Sequence, residues 1–161
     1  MTRDKLTKNV STESVSASLS KRAEIANRSG ADIFVSIHCN AGGGTGTETY
    51  CFAGAGYSAR LAELVQDEIS DATGLYDRGV KTANFFVIKN TLMPSILIET
   101  GFMDTQRDAL LLTTEYGQEC FAQAIADAVY KYDMMEPLQI AQEEIKTQTE
   151  EESKAEVDYN D

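Results

Sequence analysis

Histidine occurs once in this 161-residue chain, at position 38. A serine–histidine triad therefore has a single imidazole to draw on, and no G-x-S-x-G nucleophile elbow accompanies it. Cysteine is scarce as well. Cys39, Cys51 and Cys120 are too few and too apolar in setting for a disulfide framework or a zinc ribbon, and they read as buried free thiols. His38 and Cys39 cannot form a nucleophile pair, because successive side chains on a strand point to opposite faces. No apolar run approaches the roughly 18 residues needed to cross a bilayer. The polar N-terminus has no signal-peptide core, so the sequence as it stands predicts neither a membrane span nor an export signal. Positive charge is also in short supply, with 14 Lys+Arg against 26 Asp+Glu. Such a surface excludes nucleic acid as the expected partner.

The negative charge is unevenly placed. Residues 133–161 carry ten acidic side chains against two lysines, which leaves the preceding part only mildly negative. After Pro137 there is no glycine and little apolar content. The expected organisation is one domain over residues 1–132, with enough apolar residues for a single core, and a solvated, disordered acidic tail over 133–161.

Within the domain, residues 1–10 read as an irregular lead-in. Val15, Leu19, Ala23 and Ala26, followed by Gly30, predict a helix with a glycine stop. Residues 33–37 are apolar and β-branched and predict a central strand. Four glycines within residues 40–46 mark a loop, and β-type residues resume over 47–52. A second helix follows Gly54 and Gly56, with the stripe Leu61, Leu64, Val65, Glu68, Ile69, Ala72 and a stop at Gly74. Residues 75–83 read as a loop, 85–88 as a strand, and 96–98 as a strand after Pro94. Thr105 with Asp108 fits a capping box. A last helix carries Cys120, Phe121, Ala124, Ile125, Ala128, Val129 and Tyr132, spaced to pack across the sheet. Alternating helices and strands imply an α/β fold: one sheet of mostly parallel strands flanked by helices.

Ligands of open α/β sheets bind at the carboxyl ends of strands, so polar residues there are the first candidates. His38 follows the apolar run 33–37 and opens the glycine-rich loop. Glu99 follows Ile96, Leu97 and Ile98. A histidine at such a rim serves as metal ligand, general base or hydrogen-bonded core residue, and the sequence leaves all three open. For Glu99, desolvation beside three aliphatics raises the pKa toward the range useful for proton transfer, with a salt-bridged structural role as the alternative. If the two strands are parallel neighbours, both side chains share one rim.

The run Ser36-Ile37-His38-Cys39-Asn40-Ala41 resembles the SIHxNA signature of zinc-dependent N-acetylmuramoyl-L-alanine amidases of the amidase-3 type. Other segments agree in order and spacing: Thr2-Arg3, the "R…AN" stretch of Arg22 and Asn27, the "ETY" of Glu48, Thr49 and Tyr50, Arg78-Gly79-Val80-Lys81, Phe86-Val87-Ile88, and PSILIETGF over 94–102. The resemblance implies a zinc site of two histidines and a glutamate, with a second glutamate acting on the attacking water. His38 matches the later histidine ligand and Glu99 the catalytic glutamate, while Asn40 and Arg78 fall in motifs expected to meet substrate. The implied substrate is the amide between N-acetylmuramic acid and L-alanine in peptidoglycan or a muropeptide, and the implied place of action is the bacterial cell wall.

The sequence also departs from the family. The strand ending in "GHGG" and the helix after it have no counterpart, so the chain is expected to lack the family's first strand and helix and, with them, two zinc ligands. Two expectations follow from that. One is a non-catalytic remnant that binds muropeptide or a protein partner, the alternative to an amidase. The other is self-association through an exposed sheet.

Overall fold

The computed structural model describes residues 14–135 and, apart from these, Lys146. The irregular lead-in and nearly all of the acidic tail read from the sequence lie outside the described residues. Among the described residues nine elements follow in order: α1 (Val15–Arg28), β1 (Phe34–Asn40), β2 (Thr47–Cys51), α2 (Gly56–Thr73), β3 (Asp77–Thr82), α3 (Phe86–Lys89), β4 (Ser95–Phe102), α4 (Gln106–Thr113) and α5 (Glu115–Asp133).

The strands form one four-stranded sheet in the order β1-β4-β2-β3. β1 runs parallel to β4 and β2 parallel to β3, while β2 and β4 are antiparallel. The mixed α/β class and mostly parallel sheet agree with the sequence reading. The extent of β1 differs from it: His38 and Asn40 belong to the strand instead of following it, and among the described residues β4 is the only neighbour of β1. Ile37 and Cys39, on one face of β1, are both exposed, so Cys39 is not the buried thiol expected, whereas Cys51 is buried.

Two further corrections concern the strands. Residues 85–88 were expected as a strand and instead supply the short helix α3. An apolar run of four carries no period long enough to separate helix from strand. The expected loop at 75–83 contains β3, a polar strand with an exposed first and last residue that, among the described residues, pairs with β2 alone. An edge strand needs no buried face on both sides, so its sequence lacks the usual apolar signal.

Side-chain alternation gives the sheet two unlike faces. On one, Ile96, Ile98 and Cys51 pack against Leu61, Val65 and Ile69 of α2 and Phe121, Ala124 and Ala128 of α5, forming the larger core. On the other, Phe34 and Leu97 meet Ala26 of α1 and Val87 and Ile88 of α3, with Tyr50 partly buried beside them. The α2 helix ends as its sequence predicts, at Gly74 in the left-handed conformation (φ 61°), with its N–H on the Ser70 carbonyl. This is the backbone state that glycine adopts without steric cost. Among the described residues, no helix is long and apolar enough to cross a membrane.

Candidate active site

His38 and Glu99 are register partners on the parallel strands β1 and β4, and Glu99 is in turn opposite Glu48 on β2. Partners across a sheet share a face. The residues His38, Glu99 and Glu48 therefore form a row on the face of the smaller core, beyond the part that α1 and α3 cover. Arg78 and Lys81 of β3 extend this row on the far side of Glu48.

The two glutamates have opposite surroundings. Glu48 is 3% exposed, and its carboxylate is saturated. Oε1 accepts from Asn40 Nδ2 (2.9 Å) and from the Tyr50 hydroxyl (2.7 Å). Oε2 accepts from Arg78 Nε (2.7 Å) and from Lys81 Nζ. Burial alone pushes the Glu48 carboxyl up, but the bonds from Lys81, Arg78 and Tyr50 outweigh it and bring the pKa down to about 2. Burial first, and then the bond to Glu48, push the Tyr50 hydroxyl up to about 12. Glu99 has no such set of donors. Its Oε2 is buried and meets no hydrogen-bond partner among the described residues. Burial first, and the neighbouring Glu48 charge second, hold its pKa above the ordinary carboxylate range.

The His38 ring places Nε2 3.0 Å from Ser36 Oγ on the same strand face. The backbone around it is pinned by the next strand, since the buried Thr100 hydroxyl donates to the His38 carbonyl at 2.8 Å. The Thr47 hydroxyl donates to the Glu99 carbonyl at 3.1 Å. Both members of the pair are thus set on rigid strands.

The loop after β1 is fixed by two aspartates that follow β4. Asp104 Oδ2 accepts from the N–H groups of Gly42 and Gly43, both at 2.8 Å, which lowers its pKa. Asp108 is fully buried and accepts from Thr45 Oγ1 (2.7 Å), Gly46 N (2.8 Å) and Phe102 N (3.0 Å). The capping box expected of Thr105 and Asp108 is not formed. Thr105 Oγ1 instead donates to the Gly44 carbonyl, and α4 has no side-chain cap. Both residues are turned to the loop, where buried backbone donors and acceptors need partners more than an exposed helix end does.

The structure thus brings together His38, Glu99, Asn40 and Arg78, the four residues singled out in the sequence. It gives Asn40 and Arg78 a shared task not foreseen there, binding Glu48. Glu48, Lys81 and the two loop aspartates were not read as site residues. The available signal for Glu48 was an acidic residue inside a β-type run, two positions from Tyr50 and so on the same strand face.

Comparison with known proteins places these observations. The profile of the N-acetylmuramoyl-L-alanine amidase family matches residues 1–131. Among similar sequences, N-acetylmuramoyl-L-alanine amidase CwlM of Bacillus licheniformis is 43% identical over 116 residues, covering 71% of this chain and 44% of that protein. A sporulation-specific N-acetylmuramoyl-L-alanine amidase of Bacillus subtilis is 45% identical over 98 residues, covering 60% of this chain and 38% of that protein. The chain therefore spans less than half the length of these relatives. Among solved structures, an N-acetylmuramoyl-L-alanine amidase from Clostridium difficile 630 superposes with a TM-score of 0.70 at 38% identity, covering 73% of this chain and 67% of that one. The CwlD amidase of Clostridioides difficile, solved in complex with the GerS lipoprotein, gives a TM-score of 0.70 at 31% identity, covering 78% and 68%.

Proposed function

This chain belongs to the N-acetylmuramoyl-L-alanine amidase family, and from that premise we propose that its site hydrolyses the amide joining N-acetylmuramic acid to L-alanine in peptidoglycan of the bacterial cell wall. The observation that carries the proposal is the Glu99 carboxylate, which holds a buried oxygen without a partner among the described residues, beside the register-paired His38. In this reading Glu99 takes a proton from the attacking water as its oxygen adds to the amide carbonyl. It returns the proton to the alanine nitrogen as the C–N bond breaks. Asn40 and Arg78 line the same face and are proposed to meet substrate while they hold Glu48.

Zinc is the cofactor the resemblance implies, and it belongs to this proposal with His38 as one ligand. Catalytic zinc sites take three protein ligands. Among the described residues no three His, Cys, Asp or Glu side chains cluster to hold a metal ion. Glu48, the other carboxylate in the row, is saturated by four donors. The described residues by themselves do not fit the ion, and further donors must come from outside them. A second reading is that the same sheet face holds muropeptide, or a protein partner, without cutting it. Self-association along β1, where Ile37 is exposed, is compatible with either reading.

The test is to supply zinc and purified peptidoglycan and follow newly freed L-alanine amino groups by mass spectrometry, with Glu99→Gln as the control. Cleavage at another bond, or equal cleavage by the Gln variant, would overturn the amidase reading. Muropeptide binding without turnover would favour the second.

A further inference from the structure

The cations at the end of the row exceed what Glu48 neutralises. Arg78 and Lys81 both bind the same oxygen, Oε2, of one carboxylate. The other oxygen is taken by Asn40 and Tyr50, so Glu48 can accept no more. On the β3 side of Glu48 two cations thus share one anion, with the second carboxylate of the row, Glu99, on the opposite side of Glu48, in a chain whose net charge is −12. Both side chains also reach solvent, with 31% of Arg78 and 37% of Lys81 exposed. Each is braced against a ring: the Arg78 guanidinium lies 5.0 Å from the centroid of Phe102 and the Lys81 ammonium 5.9 Å from that of Tyr50. Such stacking holds a cation in place without using up its N–H donors.

The spacing relates this charge to the chemistry. Adjacent strands lie about 4.8 Å apart, so β3 is roughly 10 Å from Glu99 on β4. An extended peptide covers about 3.5 Å per residue. A group on the second or third residue from the cleaved amide would therefore lie over Arg78 and Lys81. In a muropeptide the two arms leaving that amide differ in charge. The N-acetylated sugars are neutral, whereas the peptide carries free carboxylates.

We propose that Arg78 and Lys81, standing beyond Glu48 in the row, form an anion subsite for a carboxylate of the stem peptide, so that the peptide arm of the substrate runs from Glu99 toward β3 and the glycan arm the other way. This rests on the amidase-site reading above, but it concerns binding and needs no turnover. The probes are two ligands differing in one group: N-acetylmuramoyl-L-alanyl-D-glutamate, with a free α-carboxylate on its second residue, and N-acetylmuramoyl-L-alanyl-D-isoglutamine, where that group is an amide. Their affinities for the 161-residue chain would be measured by NMR titration. The acid form is expected to bind about tenfold more tightly, as one charge-assisted hydrogen bond implies. Lys81→Gln, which keeps a donor for Glu48, should bring that ratio toward one. Equal affinities in the wild-type chain, or a ratio unchanged in both Lys81→Gln and Arg78→Gln, would overturn the subsite while leaving muropeptide binding by this face intact. Binding of neither ligand would overturn the subsite and the muropeptide reading together.

Discussion

Glu48 and Glu99 are directly opposite on antiparallel strands, two carboxylates on one sheet face, of which one accepts four hydrogen bonds and the other keeps a buried oxygen that accepts none from the described residues. Saturation makes Glu48 a fixed negative charge, and its proximity together with burial disfavours the ionised form of Glu99. The contrast separates a structural acid from a reactive one in a way that residue type alone does not.

Replacing Glu99 with Gln preserves shape and removes the proton acceptor. Turnover in any preparation that cleaves the muramoyl–alanine bond should fall by roughly 100-fold or more. The melting temperature should stay within a few degrees, because the carboxylate Oε2 makes no bond to lose. A variant that melts far lower would assign Glu99 to the framework.

Glu48→Gln removes the charge that Arg78 and Lys81 share. Breaking a fully buried pair costs about 3–5 kcal/mol. Both cations retain about a third of their surface in water, so about 2 kcal/mol is expected by chemical denaturation.

Acid should act through the same residue. The folded Glu48 pKa of about 2 lies below its ordinary value of 4.5, so its contribution is complete above pH 4.5 and is lost as pH falls toward 2. Stability against urea, measured across that interval, should fall in the wild-type chain and fall less steeply in Glu48→Gln.

Two glycines of the same loop should respond differently to alanine. Gly46 has φ 102°, and an added Cβ would lie 2.0 Å from the Tyr76 carbonyl oxygen, so the backbone itself must move. Gly43, at φ 76°, has open space around it. Gly46→Ala should lower the melting temperature clearly more than Gly43→Ala, whose cost is limited to about 1–2 kcal/mol of left-handed strain.

Asp108→Ala would leave the buried N–H groups of Gly46 and Phe102 without acceptors. Each orphaned donor costs about 1–3 kcal/mol, so a total near 3 kcal/mol is expected, with faster amide hydrogen exchange at both positions. Unchanged exchange there would refute the loop-fastening role.

The amphipathic helices were legible in the sequence because their periods are long and their ends carry signals, as the Gly74 stop of α2 shows. The family motifs pointed to His38 and Glu99, and two apolar strand runs placed them at comparable positions. What the sequence by itself determined was thus the α/β class, the helical faces and the two most informative polar residues. The strand order, and hence the pairing of Glu99 with His38 on one side and Glu48 on the other, was decided by tertiary structure. So was the division of labour between the two glutamates, because Arg78 and Lys81 are thirty or more residues from Glu48 in the chain. Local propensity reports a residue's near neighbours, whereas a carboxylate's ionisation depends on burial and on donors delivered by other strands, and both come into being only when the sheet closes.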